Sequence, residues 1–275
     1  MKLFYIPESE LKRIRESEKA LCNYYLYSSL IAEVSDFNCL YMASRAGLEH
    51  VWRPFGSKNI VSWLFTNGMK NPNESIAGEL CDLYFSSNSH DYLFLHSLLV
   101  SQGKLKFDSI HTRVPVKEEI FGSGISRAVD IISARRTQKQ LGRVYVLLED
   151  RDLFFERVWR SVQRVSNEKM SELTIIVDHA PYNLELNLRD ICLKFRVFGL
   201  MAQECNGHNF QAIDEALASL RNNNNGKPQV LVTNMIRKKF GRVGYEKLVE
   251  RFKVRIEYLT RFAGLGKLAF ESVEI

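Results

Sequence analysis

Four consecutive charged residues, Glu149-Asp150-Arg151-Asp152, follow the apolar run Val144-Tyr-Val-Leu-Leu148. Three carboxylates and a guanidinium at the end of such a run can do two kinds of chemistry. If Glu149, Asp150 and Asp152 converge, their hard oxygens can hold a Mg²⁺ ion, whose geometry constrains donor type and angle more than residue name. Arg151 can instead pair directly with a diphosphate, its planar fork taking over the neutralisation a metal would supply. The plain alternative is a solvated loop in which Asp150 is one surface acid among several. Thirty positions beyond Asp150, a second apolar run leads to Ile176-Val-Asp-His-Ala180.

The elements that must position these residues follow from periodicity. Short runs rich in β-branched residues at 144–148, 173–177, 200–204 and 229–233 predict strands. Helical spacing recurs at 9–32, with Ser9 as N-cap, and at 57–65, 90–100, 124–141, 154–165, 186–198 and 210–220. This alternation predicts an α/β fold, a mainly parallel sheet with helices on both faces. Ligands of such sheets gather at the carboxyl ends of strands, and Asp150 and Ala180 both follow strand ends. The polar stretch 222–226 reads as a turn.

Other segments line up in order around this pair. They are Ala46-Gly-Leu-Glu-His50 running into Ile60-Val-Ser-Trp-Leu-Phe65, then Ser87-Asn-Ser-His90, then Phe121-Gly-Ser-Gly-Ile125. After Asp150 come Phe198-Gly199, Asn206-Gly-His-Asn-Phe210 and Lys227-Pro-Gln-Val-Leu-Val-Thr-Asn234. Over roughly residues 40–240 the chain resembles the N-terminal, diphosphate-binding half of transketolase, including the form in which that half is a separate subunit. The resemblance implies the thiamine-diphosphate-binding fold, diphosphate domain.

It also implies cofactors, thiamine diphosphate and Mg²⁺, and roles for particular residues. Asp150 falls on the metal-binding Asp of the family's Gly-Asp-Gly, but Glu149 and Arg151 stand where glycines would, and Ala180 replaces the amide ligand. Asn183 is a displaced substitute for that amide, and Glu149 and Asp152 are candidate further metal ligands. His50, His90 and His111 fall on histidines that line the family's substrate channel, a role suited to an imidazole that donates or accepts near neutral pH. Gly122, Ser123 and Gly124, with Asp150 and Arg151, are the expected cofactor contacts. Phe155 replaces a glutamate that couples the family's two active sites. His208 reads as part of a structural turn, and His96 and His179 as surface residues.

Composition narrows the remaining choices. The chain has 275 residues, 45% of them hydrophobic, enough for one large core. Its five cysteines form no Cys-x-x-Cys pair, which argues against a disulfide framework or zinc site. The net charge of +6 is scattered, and the densest run, 237–242, carries a single aromatic, Phe240, rather than the several interleaved aromatics of a single-strand platform, so nucleic acid is not an expected partner. No run has the length of a membrane span, and the opening residues lack the pattern of a secretory signal, so a cytoplasmic location is expected. The expected organisation is an N-terminal helical extension at 1–40, a transketolase-like diphosphate-binding domain at 41–241, and a basic, amphipathic helical tail at 242–275. The last dozen residues of that tail are expected to pack on a partner.

The resemblance implies an enzyme that transfers a ketol or acyl unit from a sugar phosphate or 2-oxo acid. Its pyrimidine domain, with the glutamate that activates the cofactor, would come from a C-terminal transketolase-like subunit, in a heterotetramer. Two other readings stand beside it. One is a non-catalytic homologue acting as scaffold or regulatory subunit, and the other a metal-free anion binder using Arg151 and the 237–242 run.

Overall fold

The computed structural model describes residues 2–21, 25–45, 56–70, 81–87, 91–105, 123–179, 187–222, 225–234, 245–262 and 264–274. The chain divides into two compact units. One comprises residues 67–89 and 117–236, the other 1–66, 90–116 and 237–275.

The first unit is built on a five-stranded, wholly parallel sheet. Its strands are β2 (Leu83–Ser86), β3 (Val144–Glu149), β4 (Leu173–His179), β5 (Met201–Asn206) and β6 (Gln229–Asn234), in the order β2-β3-β4-β6-β5. The central strands β3 and β4 are buried at every position, which explains why they read as unbroken apolar runs rather than alternating ones. Val144, Val146, Leu148, Leu173, Ile175, Val177, Val230 and Val232 form a core with three helices: α5 (Ser123–Thr137), α6 (Glu156–Asn167) and α7 (Leu188–Val197). Each completely buried aliphatic side chain there contributes about 1.5–3 kcal/mol.

The opposite face carries α8 (Phe210–Asn222). Tyr145, on the other parity of β3, accepts a 2.7 Å hydrogen bond from Arg221 of α8, and Gln229 donates to the Leu220 carbonyl at 2.8 Å. The expected α/β architecture, a parallel sheet flanked by helices, is therefore the observed one. Strand β2 is an addition to the expected set, a four-residue strand that pairs with β3 and, among the described residues, lies at the edge of the sheet.

The second unit is mainly helical, with α1 (Glu8–Leu21), α2 (Leu26–Arg45), α3 (Lys58–Trp63), α4 (Asp91–Ser101) and α9 (Tyr245–Phe262). The helix expected over 9–32 is thus two helices. Two short strands, β1 (Lys2–Tyr5) and β7 (Glu271–Glu274), pair antiparallel, so part of the segment expected to meet a partner binds this chain's own first strand. Asn38 of α2 both accepts from Phe4 N (3.0 Å) and donates to Phe4 O (2.7 Å), satisfying β1 groups at its free edge. Lys58 forms ion pairs with Glu33 and Asp36 of α2, while Arg255 of α9 reaches Glu33 at 2.8 Å.

Candidate active site

All five sheet strands run the same way, so their carboxyl ends share one edge. There β2 leads to Ser87, β3 to a 3-10 turn at Asp150–Phe154, and β4 ends in Asp178 and His179. The turn closes because the Asp152 carboxylate accepts from the Glu149 backbone N–H at 2.9 Å. Ser87 donates its hydroxyl to the same carboxylate oxygen, tying the β2 end to the β3 end. Trp159 of α6 donates its indole N–H to the Leu153 carbonyl at 2.7 Å, holding the turn from the other side. Burial raises the Asp152 carboxyl above the ordinary range, offset in part by the Ser87 and Glu149 hydrogen bonds.

The other charged groups take separate partners. Arg151 Nε lies 2.5 Å from Glu149 Oε2, so two residues standing at expected glycine positions neutralise one another. Asp150 accepts from the Arg151 backbone N–H at 2.8 Å through Oδ1, and its Oδ2 faces His179 Nδ1 at 3.6 Å. His179 is buried at 4% exposure, which corrects its reading as a surface residue. His96 is also half-buried, and burial lowers its pKa. Position alone hides His179: it is the last residue of a strand enclosed on both faces. The signal for it was the polar pair Asp178-His179 ending an apolar run.

Helix α5 begins at the same edge. A Cβ on Gly124 would sit 3.0 Å from Val146 Cγ1 of β3 and 3.9 Å from Ser87 N, so this glycine allows the helix start to approach the sheet. Ser123 and Gly124 thus place the amino end of a 15-residue helix, whose first N–H groups point away from intrahelical partners, near Ser87. His50, His90, His111, Phe121, Gly122, Ala180, Asn183 and the 237–242 run lie outside the described residues.

The expected three-carboxylate Mg²⁺ cage does not fit this geometry. Glu149 is held by Arg151, Asp152 by Ser87 and the turn backbone, and Asp150 faces His179. Among the described residues no three His, Cys, Asp or Glu side chains are grouped as metal ligands. The physical reason is the turn itself, which uses Asp152 as its closing acceptor and leaves that carboxylate directed inward.

Comparison with solved structures places the fold. The Campylobacter jejuni transketolase matches with a TM-score of 0.64 at 20% identity, over 86% of this chain and 43% of that one. The Leishmania mexicana transketolase matches with a TM-score of 0.59 at 15% identity, over 85% and 45%. The fold is the thiamine-diphosphate-binding fold of transketolases, and the chain spans less than half the length of these two.

No family profile matches the chain. It is 23% identical over 209 residues to one subunit of the apulose-4-phosphate transketolase of Actinobacillus succinogenes, a match covering 67% of this chain and 75% of that protein. The chain is thus similar in sequence to a transketolase subunit and shares the fold of transketolases, in keeping with the resemblance of its motifs.

Proposed function

We propose that this chain is the diphosphate-binding subunit of a split, transketolase-like transferase that moves a ketol or acyl unit. It would act with a partner subunit supplying the pyrimidine domain, in a heterotetramer. The observation that carries the reading is the similarity to a protein named as one subunit of a transketolase, over three quarters of its length. The geometry supports it: the amino end of α5 and the Asp150 turn meet at Ser87, on the edge where parallel sheets take ligands.

Bound thiamine diphosphate would supply the carbon nucleophile for breaking and making carbon–carbon bonds. This chain's part would be to hold the diphosphate with the backbone of Gly122, Ser123 and Gly124 and with Arg151 once it leaves Glu149. His50, His90 and His111 would hydrogen-bond the hydroxyls of a sugar phosphate or the carbonyl of a 2-oxo acid. A cytoplasmic location belongs to the same proposal; among the described residues no helix is long and apolar enough to cross a membrane.

The test is calorimetric. Thiamine diphosphate titrated into the isolated chain, with Mg²⁺ and separately with Mn²⁺, should bind weakly or not at all. Adding a C-terminal transketolase-like subunit should give tight binding and two-carbon transfer from a ketose phosphate. Tight binding by the chain alone, or no transfer from the assembled pair, would overturn the shared-site reading.

A second reading, a non-catalytic homologue serving as scaffold or regulatory subunit, is favoured by the Glu149–Arg151 ion pair in the two glycine positions. Its signature is assembly with the partner that is indifferent to both thiamine diphosphate and chelator.

A further inference from the structure

In the second unit, α9 carries two adjacent rows of side chains at four-residue spacing: Phe252, Ile256 and Thr260 in one, Lys253, Glu257 and Arg261 in the other. Gly264 and Gly266, both at φ +63°, turn the chain after the helix so that Lys267, Leu268 and Phe270 return alongside it. Helix and returning segment line a cavity of about 570 Å³, with Phe4 of β1 also in its wall. That wall is fixed before any ligand arrives. Phe252 stacks on Phe37 of α2 with ring centres 4.5 Å apart and meets Phe270 edge-on at 6.0 Å. Arg13 of α1 donates to the Lys267 carbonyl at 3.2 Å, tying down the returning segment. Ile256 and Leu268 are buried, whereas Phe4, Phe252 and Phe270 are only half-buried. Apolar rings left open in a concavity of this size offer a small ligand surface to cover.

The charged residues fix the sign of that ligand. Lys253, Arg261 and Lys267 are exposed at the rim, against the one carboxylate of Glu257. None of the three cations forms an ion pair among the described residues, so an anion would not have to displace a carboxylate to reach them. The buried Thr260 hydroxyl is already donated to the Glu257 carbonyl at 3.0 Å, which leaves an acidic head group to the cations.

We propose that this cavity is a binding site for a small aromatic acid, its ring against Phe252 and Phe270 and its carboxylate or sulfonate among Lys253, Arg261 and Lys267. The site uses none of the residues of the candidate active site. It requires neither the partner subunit nor thiamine diphosphate.

The full chain is titrated with anilinonaphthalene sulfonate, followed by its fluorescence, and with naphthoate by calorimetry. Each should bind at one equivalent, and naphthoate should displace the fluorophore. Naphthalenemethanol, similar in shape but uncharged, should bind at least about 10-fold more weakly than naphthoate. The K253E/K267E double variant reverses charge at two exposed positions and leaves the apolar wall intact. It should lose at least about 10-fold in naphthoate affinity and keep the parent's affinity for the alcohol. I256W, which fills the cavity from its wall, should abolish binding of both; the double variant decides the matter even if I256W folds poorly. The proposal is overturned if K253E/K267E binds naphthoate like the parent, or if the alcohol binds as tightly as the acid. A parent that sediments as a dimer and a double variant that sediments as a monomer would assign the cavity to a second copy of the chain, and would overturn it too. Since only the aromatic acid is added, failure here leaves the transketolase reading to its own assay.

Discussion

The Arg151 guanidinium and the Glu149 carboxylate are locked together at 2.5 Å, with the acid 5% exposed and the base 29%. In the motif that this stretch resembles, these two positions are glycines, which let backbone approach a phosphate closely. Under the proposed function, an anion reaching this edge would have to compete with Glu149 for Arg151.

R151A leaves a nearly buried carboxylate without its guanidinium, and the chain should lose about 2 kcal/mol of stability in a urea unfolding curve. E149Q should cost less and release Arg151, raising affinity for inorganic pyrophosphate several-fold by calorimetry. Unchanged pyrophosphate binding in E149Q would show that Arg151 is not an anion contact.

S87A removes the hydroxyl donated to Asp152 and should cost about 1–2 kcal/mol at pH 7. The Asp152 carboxyl, already raised by burial, would rise further in the variant. The folded variant then takes up its proton at higher pH than the parent, so the penalty should shrink as pH falls. A penalty constant from pH 7 to pH 4 would mean the hydroxyl does not act on the charged carboxylate.

Asp36 gives the second unit a pH dependence of definite sign. Burial, aided by the nearby Glu33 carboxylate, raises its pKa from 3.8 to about 6 against the pull of Lys58 and Arg255. The folded chain keeps that proton up to about pH 6, whereas the unfolded chain releases it near 3.8. Between those values the folded state binds more protons, so this group's contribution to stability declines as pH rises and levels off once both states are ionised. Melting temperatures from pH 4 to 8 should show this slope in the parent and not in D36N.

Gly142 tolerates no side chain. Its φ is +129°, and a Cβ there would lie 2.3 Å from the Cys81 carbonyl oxygen, a backbone atom that cannot swing aside. G142A should cost at least about 3 kcal/mol, combining backbone strain with displacement of the β2 approach. A denaturation midpoint close to the parent's would mean that this turn can be rebuilt.

The sheet was legible in the sequence where burial was complete. Residues 144–148 and 173–177 read as strands because β3 and β4 are enclosed on both faces and, Thr174 apart, keep apolar side chains until their last positions. Strand β2 was not legible, since Leu-Tyr-Phe-Ser is four residues long, carries no β-branched residue and pairs on one side only. Nor was β1 with β7: Tyr5 and Glu271 face each other across nearly the whole chain, and no local pattern encodes such a pairing. At the candidate site, Asp150 stood where its motif put it, after a strand end. Motif matching included Ser87 without giving it a role and read His179 as a surface residue, because their importance lies in which strand ends are neighbours. It also could not foresee that Asp152 closes the turn, which is a matter of backbone geometry.

The division of the chain bears on the order in which it folds during synthesis. The parallel sheet is complete once Asn234 has emerged, since all five of its strands precede that point. The other unit draws on residues 1–66 and again on 237–275, so β1 is made long before its partner β7. Until the ribosome delivers those final residues, an unpaired strand and the uncovered faces of α2 await their cover. A nascent chain paused before residue 245 would hold the five described strands of the sheet and, in its other unit, helices still without their cover, the stage at which a chaperone has most to shield.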